Sequence, residues 1–197
     1  YLGYGKRITI SNGDPNLVNV TMRSSVNDTL RYKILLASGG YKEYFLVENR
    51  QQIGFDRNLP GSGLLILHCD DNFDGSNDMR RGRWHVSVEQ ADGLGDLEVG
   101  RNDGDANDVF PGPANLYTEF TNLTNPSTAS YYPGNPNQAA VWNITQNTTA
   151  KTVTFNLDAT FSRVNIQLTS KSFNDSVYGD SDGVLMPGER VRLYYTV

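Results

Sequence analysis

Short alternations of apolar and polar residues recur along the chain, separated by turns rich in Gly, Pro, Asn and Asp. This period-2 pattern is typical of half-buried strands. The first half contains no sustained apolar stripe at the i, i+3, i+4, i+7 spacing of an amphipathic helix. Other strands are predicted from short continuous apolar runs, at 44–47 and 64–67, or from β-branched and aromatic content, at 17–22 and 30–36. In all, the predicted strands are residues 7–10, 17–22, 30–36, 44–47, 64–67, 84–88, 140–144 and 152–157.

Closely spaced short strands with turn chemistry between them predict an all-β fold. We expect an antiparallel β sandwich or barrel-like domain with long Gly/Asp-rich loops over residues 1–159, closed by a hairpin between its last two strands. A boundary is predicted near Ala159-Thr160. Residues 164–168 and 191–197 alternate again, but two strands alone cannot bury a core. Residues 160–197 are therefore expected to be the first strands of a second β module; the alternative is that these last strands pack on the first domain.

The overall balance of residues narrows the classes of function. The chain has 197 residues, a net charge of -5 and 38% hydrophobic residues. No apolar run approaches the roughly 20 residues of a membrane-spanning helix, so no membrane span is expected. The acidic balance argues against nucleic acid as a partner. No signal peptide heads the sequence, which predicts a mature or excised chain. One cysteine, Cys69, excludes an internal disulfide.

Acidic residues gather in three loops at alternate positions, which is how a tight loop points oxygen ligands at one calcium ion. The first loop follows the predicted strand 64–67, the second precedes Phe110, and the third lies near the end of the chain. The candidate ligands are Asp70, Asn72, Asp74, Asp78, Asp103, Asp105, Asn107, Asp108, Asp180, Asp182 and Glu189. The alternative is that Asp, Asn and Gly serve only as turn formers.

The first loop is not an EF-hand. Arg81 stands where the bidentate Glu would be needed, and no helix is predicted on either side. Gathering several carboxylates in one short loop is nevertheless costly unless a cation offsets their repulsion. We therefore expect at least one of the three loops to bind calcium.

Zinc and acid/base chemistry are less well supported. The two histidines, His68 and His85, form no His-Glu-x-x-His motif, so the chain offers no zincin-type catalytic site. A site shared by both histidines and an Asp is one alternative; the other is that each histidine caps a strand and hydrogen-bonds a carboxylate. Paired carboxylates for glycoside hydrolysis could come from the acids Glu48, Glu89, Asp92 and Asp96. For Glu48, an ion pair with Arg50 is the simpler interpretation.

The ordered motifs of the central stretch resemble the immune inhibitor A family of secreted bacterial metalloproteases. The resemblance rests on EYFLVENRQ at 43–51, GFD at 54–56, LPGSGLLI at 59–66, HCD at 68–70, EQADG at 89–93, the Asn102, Gly104, Asp105 and Asp108 positions, and FPG at 110–112. It covers about the first three-quarters of the chain. The segments YGDSDG at 178–183 and PGE at 187–189 resemble the opening of an immunoglobulin-like module.

In that family this region lies downstream of the zinc-binding helix, and YLGY at 1–4 resembles the junction that follows it. The resemblance thus implies a non-catalytic, calcium-stabilised β-domain of a secreted bacterial or archaeal zinc metalloprotease, with zinc held only in the catalytic part. The implied partners are that catalytic domain and an extracellular protein substrate.

Two other functions remain open from the sequence. One is an extracellular module that binds carbohydrate or protein through aromatic side chains. The candidate platform residues are Tyr41, Tyr44, Trp84, Tyr131, Tyr132 and Trp142. The other is a self-contained hydrolase that uses paired carboxylates.

Overall fold

The computed structural model describes residues 6–36, 42–72, 84–132 and 139–159, together with the backbone of two short strands at 172–174 and 192–194. The chain divides into two compact units, Tyr1–Phe161 and Ser162–Val197, close to the boundary predicted near residue 160. The predicted strand at 164–168 lies outside the described residues, as do the candidate ligands Asp74, Asp78, Asp180, Asp182 and Glu189.

Ten strands and one 3-10 turn are defined among the described residues. They are β1 (Arg7–Ile10), β2 (Leu17–Arg23), β3 (Arg31–Leu35), β4 (Glu43–Arg50), the 3-10 turn (Gly54–Asp56), β5 (Gly63–Asp70), β6 (Val86–Val88), β7 (Ala140–Asn147), β8 (Thr152–Asp158), β9 (Ser172–Asn174) and β10 (Arg192–Tyr194). Described residues contain no α-helix, and the predicted all-β, sandwich-like fold is confirmed.

The first unit holds two sheets. One has the order β1-β3-β4-β5-β6 and the other the order β2-β8-β7. All pairs are antiparallel except β1 with β3, which run parallel, so the larger sheet is mixed rather than purely antiparallel as expected. The predicted hairpin is present as β7–β8. In the second unit β9 and β10 form an antiparallel pair.

The hydrophobic core draws buried side chains from both sheets. From the larger sheet come Phe45 and Val47 of β4, and from the smaller one Phe155 of β8. The ring of Phe155 meets the edge of Tyr32 at a centroid distance of 5.9 Å. Phe120, in the long connection before β7, packs on Phe45 at 5.0 Å. Sheet-on-sheet packing of this kind buries one face of each strand, which explains the period-2 pattern in the sequence.

The strand register assigns each side chain of β4 and β5 to one of two faces. Phe45 lies opposite His68, and both point into the first unit beside the core. Glu48 lies opposite Leu65, and Leu67 opposite Val88 of β6, on the other face of the sheet. The sheet therefore carries polar residues on both faces: His68 on the face toward the core, and Glu48 on the opposite face.

Candidate functional site

A buried polar network lies where β4 begins and β5 ends. His68, 1% exposed, places its Nε2 2.8 Å from Oε1 of Glu43 and its Nδ1 2.9 Å from Oε1 of Glu89. An ionised carboxylate only accepts hydrogen bonds, so with both glutamates ionised both ring nitrogens donate and the ring is an imidazolium. Burial acts to lower the pKa of His68, but the hydrogen bonds to Glu43 and Glu89 outweigh it and hold the pKa above its usual value.

The segment before residue 133 closes over this network. Oε1 of Glu43 also accepts the backbone N–H of Tyr131 at 2.7 Å, while its Oε2 accepts the hydroxyl of Ser130. The Tyr131 ring stacks on His68 with a centroid distance of 4.0 Å and an interplanar angle of 8°. Its hydroxyl lies 3.0 Å from Oγ of Ser87 in β6. Residues 130 and 131, which lie in the connection before β7, are therefore held against β4, β5 and β6.

Asp70, the first predicted calcium ligand, belongs to the same region. It is 0% exposed. Its Oδ2 accepts the Tyr132 hydroxyl at 2.9 Å, and its Oδ1 accepts the backbone N–H of Asn72 at 3.0 Å and the Asn72 side-chain amide at 3.1 Å. These donors satisfy a buried carboxylate in the way an Asx turn does. Its calcium role stays a prediction.

Among the described residues, the one group of potential metal ligands is Asp92, Asp105 and Asp108, and it includes neither histidine. Each ring nitrogen of His68 lies within hydrogen-bond distance of a carboxylate, Glu43 or Glu89. The side chain of His85 is 49% exposed and lies 3.9 Å from Asp71. The alternative in which a histidine hydrogen-bonds nearby carboxylates describes His68 correctly. The buried Cys69 on β5 has its thiol pKa raised to about 11, chiefly by burial.

The second acidic region is formed by the loop from residue 89 to 112, which is built around Gln90. Oε1 of this buried side chain accepts the backbone N–H of Asp96 at 2.9 Å, and its Nε2 donates to Glu98. The next residue, Ala91, donates its N–H to the carbonyl of Asp108 at 3.2 Å. Phe110 then pairs with Leu64 of β5 through two backbone hydrogen bonds of 2.7 and 3.0 Å. The two ends of the loop are thereby brought together.

This closure brings three carboxylates from distant positions into one group. One ligand oxygen from each of Asp92, Asp105 and Asp108 lies within 4.8 Å of the others. Asp108 is 6% exposed, and its Oδ2 accepts the N–H of Asp105. Burial raises the pKa of Asp108; the backbone hydrogen bond opposes this, while the charges of Asp105, Asp92 and Glu98 add to it.

The remaining predicted residues of this loop contribute differently. Asn107 donates its backbone N–H to Oδ1 of Asp105 at 2.7 Å. Asp103 is exposed and lies outside the group of three. Asp92 was considered in the sequence only as part of a catalytic pair, because nothing in its local pattern connects it with the later Asp-rich segment. The contact between Ala91 and Asp108 is what joins them.

Glu48, another candidate for a catalytic carboxylate pair, has cationic partners. Its Oε2 lies 2.6 Å from Nε of Arg31, and its Oε1 lies 3.6 Å from Nη1 of Arg50. Arg50 in turn pairs with Asp56 at 2.8 Å. The expected ion pair of Glu48 with Arg50 is present, within a larger network on the outer face of the sheet.

Comparison with known proteins adds no relative. No family model matches the chain, and neither a curated protein nor a solved structure matches it significantly. Within the described ranges, no helix has the length and apolar character required to cross a bilayer.

Proposed function

We propose that this chain is a non-catalytic, calcium-stabilised β-domain of a secreted zinc metalloprotease, in which it supports the catalytic part and the wall of the substrate cleft. The observation that carries the calcium part is the convergence of Asp92, Asp105 and Asp108. The resemblance of the central motifs to immune inhibitor A proteases supports the assignment to a protease. Partnership with the catalytic domain and with an extracellular protein substrate belongs to the same proposal.

The geometry of the three carboxylates fits a calcium ion. Calcium binds oxygen ligands at about 2.3–2.6 Å, so two ligands of one ion lie at most about 5 Å apart. The three carboxylate oxygens meet this limit, at separations within 4.8 Å. A divalent cation here would also offset the charge repulsion and burial that raise the pKa of Asp108. Hard carboxylate ligands suit calcium better than zinc.

The position of this group explains how calcium would stabilise the fold. Asp92 follows β6, whereas Asp105 and Asp108 precede the Phe110 pairing with β5. A shared ion would therefore cross-link the two ends of the loop without a disulfide. This is a useful property for a domain that must resist proteolysis outside the cell.

Thermal unfolding with and without calcium tests the proposal. At calcium about 100-fold above Kd, binding stabilises the native state by about 2.7 kcal/mol, which corresponds to a Tm increase of about 5–10 °C for a chain of this size. Asp108→Asn should remove most of that increase. The matched control is Asp14→Asn, which makes the same change of charge in an exposed turn. If neither calcium nor chelator changes the Tm, the calcium role is refuted. If Asp108→Asn keeps the full calcium-dependent increase in Tm, the calcium site does not include Asp108.

The non-catalytic part has a separate test. We expect the purified chain to leave casein intact, with or without added zinc, because the sequence contains no His-Glu-x-x-His motif. Zinc-dependent cleavage that a chelator abolishes would contradict this expectation.

The alternative of a carbohydrate-binding module depends on an exposed aromatic platform. Of the proposed platform residues, Tyr44, Trp84, Tyr131, Tyr132 and Trp142 are only partly exposed. Tyr131 is also stacked on His68. This arrangement favours a supporting role for these rings over a row of sugar-binding faces.

A further inference from the structure

A cavity of about 330 Å³ lies on the outer face of the five-stranded sheet. Its floor contains Leu65 of β5 and Val88 of β6, and its rim comes from the loop that precedes β5 and from the loop that contains Asp105. This volume falls near the lower end of the range of about 300–1,000 Å³ typical of small-ligand pockets. The site is suited to one side chain or a small molecule.

The walls of the cavity are mostly aliphatic. The apolar residues that line it are Leu59, Pro60, Leu65, Val88, Leu97 and Val109. They would contact the methylene groups of an unbranched side chain, and the removal of these methylenes from water favours binding.

The polar lining is strongly acidic. Four carboxylates, Glu48, Asp103, Asp105 and Asp108, share the cavity with one guanidinium, Arg50. Glu48 is already neutralised by its pairs with Arg31 and Arg50. Among the described residues, no lysine or arginine forms an ion pair with the three aspartates. Within the part of the chain that the structure describes, the cavity therefore presents aspartates without an ion-pair partner beside an apolar wall.

The shape of the cavity is held by close backbone packing. A side chain added at Gly61 would meet the backbone of Ala106 at 3.0 Å. One added at Gly104 would meet Pro60 at 3.1 Å and Asp108 at 3.3 Å. Both rims therefore pack against each other where only glycine fits. A preformed site loses less conformational entropy on binding than a mobile one.

We propose that this cavity binds a lysine or arginine side chain of a partner polypeptide. The aliphatic stem would pack on the leucine and valine walls, and the cationic head would lie among Asp103, Asp105 and Asp108. Amphipathic cations of this kind bury their methylenes while the charge stays near water or carboxylates. The proposal goes beyond the calcium-stabilised domain, because it names the chemistry by which this domain contacts another protein.

A titration followed by methyl NMR tests the proposal on the full chain. The probe is a capped peptide with one central lysine flanked by alanine and glycine, and the matched controls replace lysine by norleucine or glutamate. We expect saturable shifts of the methyl groups of Leu59, Leu65, Leu97, Val88 and Val109 with the lysine peptide. The norleucine peptide should bind more weakly by up to about fivefold for each carboxylate that the lysine charge pairs with, since it lacks that charge.

Variants separate this site from general attraction to an acidic protein. Asp103→Asn should weaken binding about two- to fivefold, whereas Asp14→Asn, which removes the same single negative charge, should leave it unchanged. Raised salt should weaken binding. Equal affinity for the lysine and norleucine peptides, shifts confined to other methyl groups such as those of Val18 and Leu116, or no shifts at all would overturn the proposal.

Calcium distinguishes this proposal from the proposed function, because Asp105 and Asp108 belong to both. A bound ion would reduce the negative charge, so lysine binding should be weaker in calcium than in chelator but still measurable. If calcium does not change the Tm and the lysine peptide binds, only the calcium role is refuted. If Tm responds to calcium and the lysine peptide does not bind in either condition, only the side-chain pocket fails.

Discussion

Two acidic segments with the same alternation of oxygen-bearing residues have opposite surroundings in the fold. Asp70, at the end of β5, is surrounded by donors from Tyr132 and Asn72. Asp108, in the loop before Phe110, is surrounded by other carboxylates and accepts one backbone N–H. A buried carboxylate with several donors is satisfied by hydrogen bonds, whereas neighbouring carboxylates repel one another. The alternation predicts calcium equally for both segments, and the distribution of donors distinguishes their surroundings.

The largest expected effect comes from breaking the network around the first segment. Glu43→Gln keeps the shape of the side chain but removes a charge that faces the buried imidazolium of His68. We expect a loss of about 3 kcal/mol in the free energy of unfolding, because a buried charge loses a partner. Urea denaturation measures it, with the exposed Asp103→Asn as the control. A loss below about 1 kcal/mol would show that Glu89 alone is sufficient to stabilise the charged ring of His68.

Asp70→Asn sharpens the comparison directly. The Tyr132 hydroxyl donates to the charged carboxylate of Asp70, and a neutral amide is a weaker acceptor in its place. We therefore expect a loss of about 1–3 kcal/mol in the free energy of unfolding. That loss should be the same in calcium and in chelator, and the calcium-dependent increase in Tm should survive. A calcium response that disappears in Asp70→Asn and persists in Asp108→Asn would return the main site to the first loop.

The strands could be predicted from the sequence because each buries one face against the opposite sheet. The continuous apolar run at 44–47 already predicted a strand, and in the structure Phe45 and Val47 are the buried members of that run in β4. The parallel pairing of β1 with β3 could not be predicted, since alternation does not specify the neighbouring strand. Strands are easiest to predict from sequence where burial in the core requires apolar residues on one face.

The candidate site was predicted only in part, for a related physical reason. Asp105 and Asp108 stand in one segment and were recognised together. Asp92 reaches them through the hydrogen bond between Ala91 and Asp108, a contact between distant positions that no local spacing encodes. Glu43 and His68 likewise meet through the register of β4 and β5. Long-range pairing, not residue type, was the missing information.

Glycine substitutions give a smaller effect that is confined to the second segment. Gly104 has φ +102° and Gly13 has φ +90°, so alanine is strained at either position. A methyl group at Gly104 would also press on Pro60 and on Oδ2 of Asp108, whereas one at Gly13 would meet nothing within 4 Å. We expect Gly104→Ala to cost about 1 kcal/mol more than Gly13→Ala and to lower the affinity for calcium. Equal costs, measured by urea denaturation, would show that Pro60 and Asp108 move aside freely.

The pH dependence of stability separates the two segments by the sign of one titration, and its effect is spread over the pH range between the unfolded and the folded pKa of His68. The pKa of folded His68 lies above its unfolded value, about 6.5. Its stabilisation is therefore complete below about pH 6.5 and is lost as pH rises through the folded pKa.

The groups that face the ring are Glu43 from β4, Glu89 after β6 and Tyr131, whose pKa is raised mainly by burial. We expect the free energy of unfolding of the wild-type chain to fall with rising pH above neutrality more steeply than that of His68→Gln. Calcium should shift both curves upward without changing this difference, because the proposed calcium site lies in the other segment. If the two variants show the same slope, the imidazolium does not contribute to stability; if calcium abolishes the difference, the two segments are not independent.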